Sequence, residues 1–175
     1  FLGANASLNP VFHTMPLAVD RMYLIISESL LQQHFGSREI KEFEQGADLA
    51  RFSDVPFSLY YETGAVNLIV QQHLKDYGIH LKNTPYHISD CDTHIFLCAS
   101  GLCAALIPEM LSLRIYEHNA KCDPDKYIHI FPVKNFHYPL RIELIWHKDT
   151  QQPFYIKAFC EMLQEEVNKL VKNHE

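Results

Sequence analysis

The chain has 175 residues, 47% apolar and 21% charged, an ordinary globular mixture large enough for one domain or two small lobes around a real core. Fifteen Lys and Arg against twenty-one Asp and Glu give a formal net charge of −6, with no basic residues gathered onto one face, which argues against direct nucleic-acid binding by these residues. The longest apolar runs, residues 22–26 and 102–107, are far shorter than the roughly 20 residues of a membrane span, and no signal-peptide pattern precedes them.

Taken in chain order, residues 1–5 read as the tail of a buried strand that opens into a loop over 6–10. Residues 12–17 are weakly strand-like, and the continuous apolar run 22–26 marks a strand covered on both faces. A short helix over 27–35 ends at Gly36, and the charged stretch 37–46 reads as an exposed, irregular connection. A helical turn over 48–52 is broken at Pro56 before a buried strand over 57–61. Val66, Ile69, Val70, Leu74 and Tyr77 then recur at helical spacing, with Gly78 as the stop. Residues 79–88 read as a strand, 89–93 as a run of N-cap candidates, 94–100 as a short apolar helix ended by Gly101, and 102–107 as the next buried strand. Pro108 can open a helical segment over 109–115, because its missing N–H costs nothing in a first turn. Residues 127–131 and 140–146 alternate as strands, and Ile156, Phe159, Cys160, Leu163, Val167 and Leu170 form the apolar stripe of a last helix. Short buried strands alternating with helices define an α/β fold, read as mainly parallel with helices on both faces.

Five scattered cysteines, an odd number, indicate a reducing, cytoplasmic setting. Cys91, Cys98 and Cys103 lie close in sequence with His87 and His94 nearby, but the spacing lacks the tight pairs of a zinc site, so these thiols read as core packing and no metal or other cofactor is assigned. His73 and His94 read as structural histidines on apolar helix faces, and no nucleophile elbow, P-loop or dinucleotide fingerprint is present.

Three stretches in order resemble the effector-binding domain of LysR-type transcriptional regulators. They are the helix, proline and strand of 48–59; the helix, Gly turn, small-residue strand and proline of 93–108; and the run from Ile130-Phe131-Pro132-Val133 through residues 140–148 to the final amphipathic helix. The resemblance covers nearly the whole chain and implies a periplasmic-binding-protein-like fold of type II, with two Rossmann-like lobes joined by two crossovers and a small effector between them. The crossovers are expected near residues 27–31 and 133–139. Residues 28–136 would form lobe II, and residues 1–27 with 137–175 a remnant of lobe I, lacking the two strand and helix units with which the family's domain begins. An incomplete first lobe leaves an open strand edge and an apolar face, so the expectation is either self-association through that edge as a homo-oligomer or loss of most of the first lobe's order. DNA would be bound only through a separate N-terminal winged helix-turn-helix absent from this chain, and no membrane partner is implied.

In open α/β sheets ligands sit beyond the carboxyl ends of the strands, at helix N-termini. By the resemblance, hydroxyl and amide groups on such turns bind the effector. Asn5 and Ser7, then Tyr60, Tyr61, Glu62 and Thr63, then Asp92 and Thr93 are therefore the candidate effector-binding residues. Thr63, Asp92 and Thr93 are equally suited to ordinary N-capping. Glu62, Asp90 and Asp92 cluster with no Arg or Lys close in sequence, which favours a neutral, zwitterionic or cationic metabolite over a dicarboxylate. The resemblance implies that the helix over 64–75 faces a partner, which would set Asp76 and His80 beyond it near a dimer surface; an ordinary solvated face is the equal alternative. The reading is a non-enzymatic sensor module. The alternatives are a cysteine-dependent cytoplasmic enzyme using Cys98 or Cys103, which apolar surroundings disfavour, and a solute-binding protein of the same fold.

Overall fold

The computed structural model describes residues 2–5, 10–61, 64–150 and 153–172, without the side chains of 168–172. In chain order its elements are β1 (Leu2–Ala4), β2 (Phe12–Asp20), β3 (Met22–Ser27), α1 (Glu28–His34), α2 (Ser37–Phe43), β4 (Phe57–Tyr60), α3 (Ala65–Asp76), β5 (Tyr86–Ile88), α4 (Cys91–Ala99), β6 (Ala104–Pro108), α5 (Ser112–Asn119), β7 (Ile128–Pro132), β8 (Leu140–His147) and α6 (Phe154–Lys172). Short 3-10 turns cover Leu49–Phe52, Glu109–Leu111 and Pro124–Lys126.

Two compact units emerge, Phe1–Asp20 with Pro139–Glu175, and Arg21–Tyr138. The first division falls at Asp20–Arg21, ahead of the 27–31 read from the sequence, because β3 pairs with both β6 and β7 and so belongs to the larger unit. The second falls at Tyr138–Pro139.

The larger unit holds a five-stranded sheet in the order β5-β4-β6-β3-β7. Strand β4 is parallel to β5 and β6, but β3 is antiparallel to β6 and β7, and in the smaller unit β1 and β2 are both antiparallel to β8. The mainly parallel reading is therefore corrected. An apolar run reports that a strand is covered on both faces, and it carries no information on the direction of its neighbours.

Alternation along β3 divides the core into two faces. On one, Ile25 meets Ala105, Ile107, Cys98, Ile115 and Ile128, with Ile95 and Ala99 of α4 packed over them. The other carries an aromatic cluster of Phe35, Phe43, Phe52 and Phe131, with successive ring centroids 4.8–5.8 Å apart. Phe43 is the reason residues 37–46 are not the irregular connection read from their charges. Helix α2 buries that ring, begins with a reciprocal bond between Gly36 N–H and Glu39 Oε2 at 2.9 Å, and is tied by Arg51 to Glu39 and Glu42.

Only residues 86–88 of the strand read over 79–88 pair in the sheet. Ahead of them Ile79 N–H bonds the Leu74 carbonyl, Lys82 N–H the Ser53 carbonyl, and Asn83 O takes Phe57 N–H, which uses the backbone of this stretch in loop contacts.

The free edge of β7 is closed from the side. Asn119 donates Nδ2 to Ile128 O at 2.8 Å and accepts Ile128 N–H at 2.9 Å, while Ala47 N–H takes Pro132 O at 2.7 Å at the other end.

In the smaller unit the sheet order is β1-β8-β2. Strand β1 is not the buried strand read from residues 1–5, since Leu2 stands 58% exposed at an edge. Helix α6 turns Cys160 inward, but Phe159, expected in its buried stripe, faces solvent along with Phe154, Tyr155 and Met162.

Candidate functional site

Strand β4 ends at Tyr60 and leads by way of Tyr61 to Gly64, the N-cap of α3, while β5 ends at Ile88 and leads to Asp90, the N-cap of α4. Because β4 and β5 pair in parallel with Tyr60 opposite Ile88, both turns leave the same end of the sheet; Tyr61 N–H still reaches Ile88 O at 3.3 Å. The carboxyl ends of two strands and the amino ends of two helices thus adjoin, the arrangement at which open α/β sheets present polar backbone to ligands.

The two helix ends are finished differently. Asp90 seals α4: its carboxylate accepts Thr93 N–H at 2.8 Å and the Thr93 hydroxyl at 2.6 Å, bonds that hold its pKa below the usual carboxylate range. Thr93 is therefore the third helical residue closing a cap rather than the cap itself. Gly64 brings no side chain to α3, whose first internal bond runs from Leu68 N–H to Gly64 O at 3.0 Å. Asp92 is ion-paired with Arg114 of α5. That partner lies 22 residues away in sequence, so the expectation of uncompensated carboxylates here is corrected.

Below the turns lies a closed polar cluster. Ser58 Oγ and His94 Nδ1 are 2.8 Å apart, the Tyr60 ring sits 4.3 Å from the His94 ring, and the Tyr60 hydroxyl meets Cys91 Sγ at 3.3 Å. Burial pushes the His94 pKa down to about 4 and the Cys103 thiol up to about 11, and raises Cys91, Cys98 and Tyr60. At neutral pH every member is uncharged. The Ser58–His94 pair has the spacing of a nucleophile and its base, but both side chains are enclosed, and the neighbouring thiols are held protonated. The cluster fixes α4 against β4; it offers no nucleophile to a substrate.

Of the remaining candidates, Tyr61 is 58% exposed on the turn. Asn5, in the left-handed region at φ 50°, spends its side chain on β8: Oδ1 accepts Arg141 N–H at 2.9 Å and Nδ2 donates to Pro139 O at 3.3 Å. Ser7, Glu62 and Thr63 lie outside the described residues. Asp76 accepts from Gln72 at 2.7 Å and from the Tyr138 hydroxyl, and His80 is exposed. Sequence reasoning missed Ser58 and Arg114, whose partners are 36 and 22 residues distant; no local pattern could have signalled either. Among the described residues no three His, Cys, Asp or Glu side chains are grouped to hold a metal, and no helix is long and apolar enough to cross a membrane.

Residues 2–168 match the family model described as the LysR substrate binding domain, and the chain belongs to that family. Among solved structures it is similar to the effector-binding domain of QuiR in complex with shikimate (TM-score 0.72, 13% identity, 96% of this chain and 71% of that one). The regulatory domain of CcmR from Synechocystis PCC6803 in complex with 2-PG gives a TM-score of 0.68 at 10% identity, over 95% of this chain and 72% of that one. Full-length CbnR complexed with its target DNA gives 0.65 at 17% identity over 95% of this chain, which spans only 52% of CbnR's length. These likenesses fix the fold as the α/β, type II periplasmic-binding-protein-like architecture. A comparison with curated proteins returned no match.

Proposed function

We propose that the chain is the effector-sensing module of a LysR-type regulator working in the cytoplasm as a homo-oligomer. A small organic molecule is held without bond-breaking, and its preference for one arrangement of the protein modulates DNA binding by a separate winged helix-turn-helix. The observation that supports this reading is the parallel register of β4 and β5, with Tyr60 opposite Ile88, so that the strand ends leading to α3 and α4 adjoin; Tyr60, Tyr61, Glu62, Thr63, Asp92 and Thr93 are the contacts we propose there. A ligand shifts such an equilibrium only by its difference in affinity between the two states. Arg114 paired with Asp92 lowers the electrostatic bar to an anion at this turn, where Asp90 keeps its charge within the cap, so an organic acid joins the neutral and cationic metabolites as a candidate. A small organic acid, as shikimate is in QuiR, fits the uncapped first turn of α3.

The test is amide chemical-shift mapping during titration with shikimate, benzoate and a set of amines. Perturbations concentrated on residues 60–66 and 90–94 are expected for at least one compound, with a thermal shift that grows with ligand concentration. Perturbations confined to other surfaces, or no binding at millimolar concentration by any of them, would overturn the assignment. The oligomer is checked by light scattering, where a strict monomer at high concentration would contradict it.

A further inference from the structure

The second connection between the units is fastened on both sides of a single junction. In the larger unit the segment 133–138 folds back on α3: Phe136 lies 4.7 Å from the His73 ring, Tyr138 meets that ring edge-on at 6.1 Å, and the Tyr138 hydroxyl donates to Asp76, three residues after His73 on the same helix. Tyr77 closes the box at 4.8 Å. In the smaller unit Asn5 holds the very next residue, with its side-chain amide on Pro139 O at 3.3 Å and two further bonds of 2.9 Å to the backbone of Arg141. His73 is 1% exposed, and its Nδ1 has no hydrogen-bond partner among the described residues. A buried imidazole inside an aromatic box with an unpartnered nitrogen is stable only while neutral.

We propose that His73, Asp76, Phe136 and Tyr138 form an acid-released clasp that sets the free length of this connection. Protonation of His73 opens the box and frees residues 136–138 from α3, adding them to the slack between Asn5's anchor and the larger unit. The groups facing His73 are Asp76 and Tyr77 at the end of its own helix, His137 and Tyr138 from the returning segment, and Asp48 from the 3-10 turn. Burial and His137 hold the His73 pKa below its ordinary value, against a smaller opposing pull from Asp48 and Asp76. The clasp is thus closed above the ordinary histidine pKa near 6.5 and loosens as pH falls below it. It stands independently of the effector reading, since no ligand enters the argument.

Hydrogen exchange of the whole chain, corrected for the intrinsic pH dependence, tests it between pH 7.5 and 5.5. Protection of the amides at 136–138 should fall by up to about tenfold, while Leu24 and Leu106 in the central strands stay protected. His73→Phe keeps the ring stack without the titration and should hold the segment closed at both pH values. Tyr138→Phe, which loses the Asp76 bond, should open it several-fold already at pH 7.5. Should His73→Phe fail to fold, the imidazole titration of the unaltered protein decides by NMR: its midpoint must coincide with the opening. Equal protection of 136–138 at both pH values, unchanged opening in His73→Phe, or opening abolished by His137→Ala instead would overturn the proposal.

Discussion

The two units solve the problem of sheet edges in opposite ways. The larger one packs helices over both faces, closes β7 with the Asn119 amide and the Ala47 bridge, and leaves as its other edge only the three residues of β5. The smaller one sets both β1 and β2 at edges of a three-stranded sheet and turns Phe154, Tyr155, Phe159 and Met162 of α6 to solvent. Stability therefore belongs mainly to the larger unit. The smaller one has apolar surface left over for a partner.

The largest test of that contrast is in the cores. Phe52→Ala, which empties the centre of the aromatic cluster, should cost about 3–5 kcal/mol in denaturant unfolding, whereas Phe159→Ala on the exposed face of α6 should change stability by about 0.5 kcal/mol or less. Comparable losses would show that α6 is as deeply engaged as the sheet.

Acid should weaken the larger unit next. His94 is neutral when folded, with its pKa lowered to about 4, so the unfolded chain takes up the proton first as pH falls. The contribution is complete above the ordinary pKa of 6.5, declines between 6.5 and about 4, and amounts to about 3 kcal/mol over that range. Urea midpoints measured across these pH values should show the decline in the unaltered chain, and His94→Gln should flatten most of it.

Asn119→Ala removes two bonds at the β7 edge and should cost about 1–3 kcal/mol, with faster exchange of the Ile128 amide as the local sign. The smallest pair compares helix ends. Asp90→Ala should cost about 1 kcal/mol by unsealing α4, while Gly64→Ser should gain only a few tenths by sealing α3. By occupying the open first turn, Gly64→Ser should also weaken binding of an organic acid if the proposed site is right.

What the sequence disclosed and what it hid follow from the range of the interactions involved. The run of residues 22–26 and the helical spacing from Val66 to Tyr77 are local patterns, and both became elements within a residue or two of the reading. Helix α2 was hidden because Phe43 is its one buried residue, and its support comes from Arg51 outside it. The candidate turns were legible as strand-to-helix punctuation. Their electrical state was not, since Arg114 neutralises Asp92 from another helix. Likewise His94 could be read as structural, but Ser58 as its partner depends on β4 and α4 being packed together.

The Asn119 amide in effect substitutes for one residue of a sixth strand, offering β7 a donor and an acceptor at the spacing a neighbouring backbone would provide. A foreign strand seeking to extend that sheet finds its first rungs taken. Crowding of many copies would therefore recruit new strands at β1, β2 or the three residues of β5 rather than here, and the longer β2 in the smaller unit offers the most rungs to a filament or precipitate.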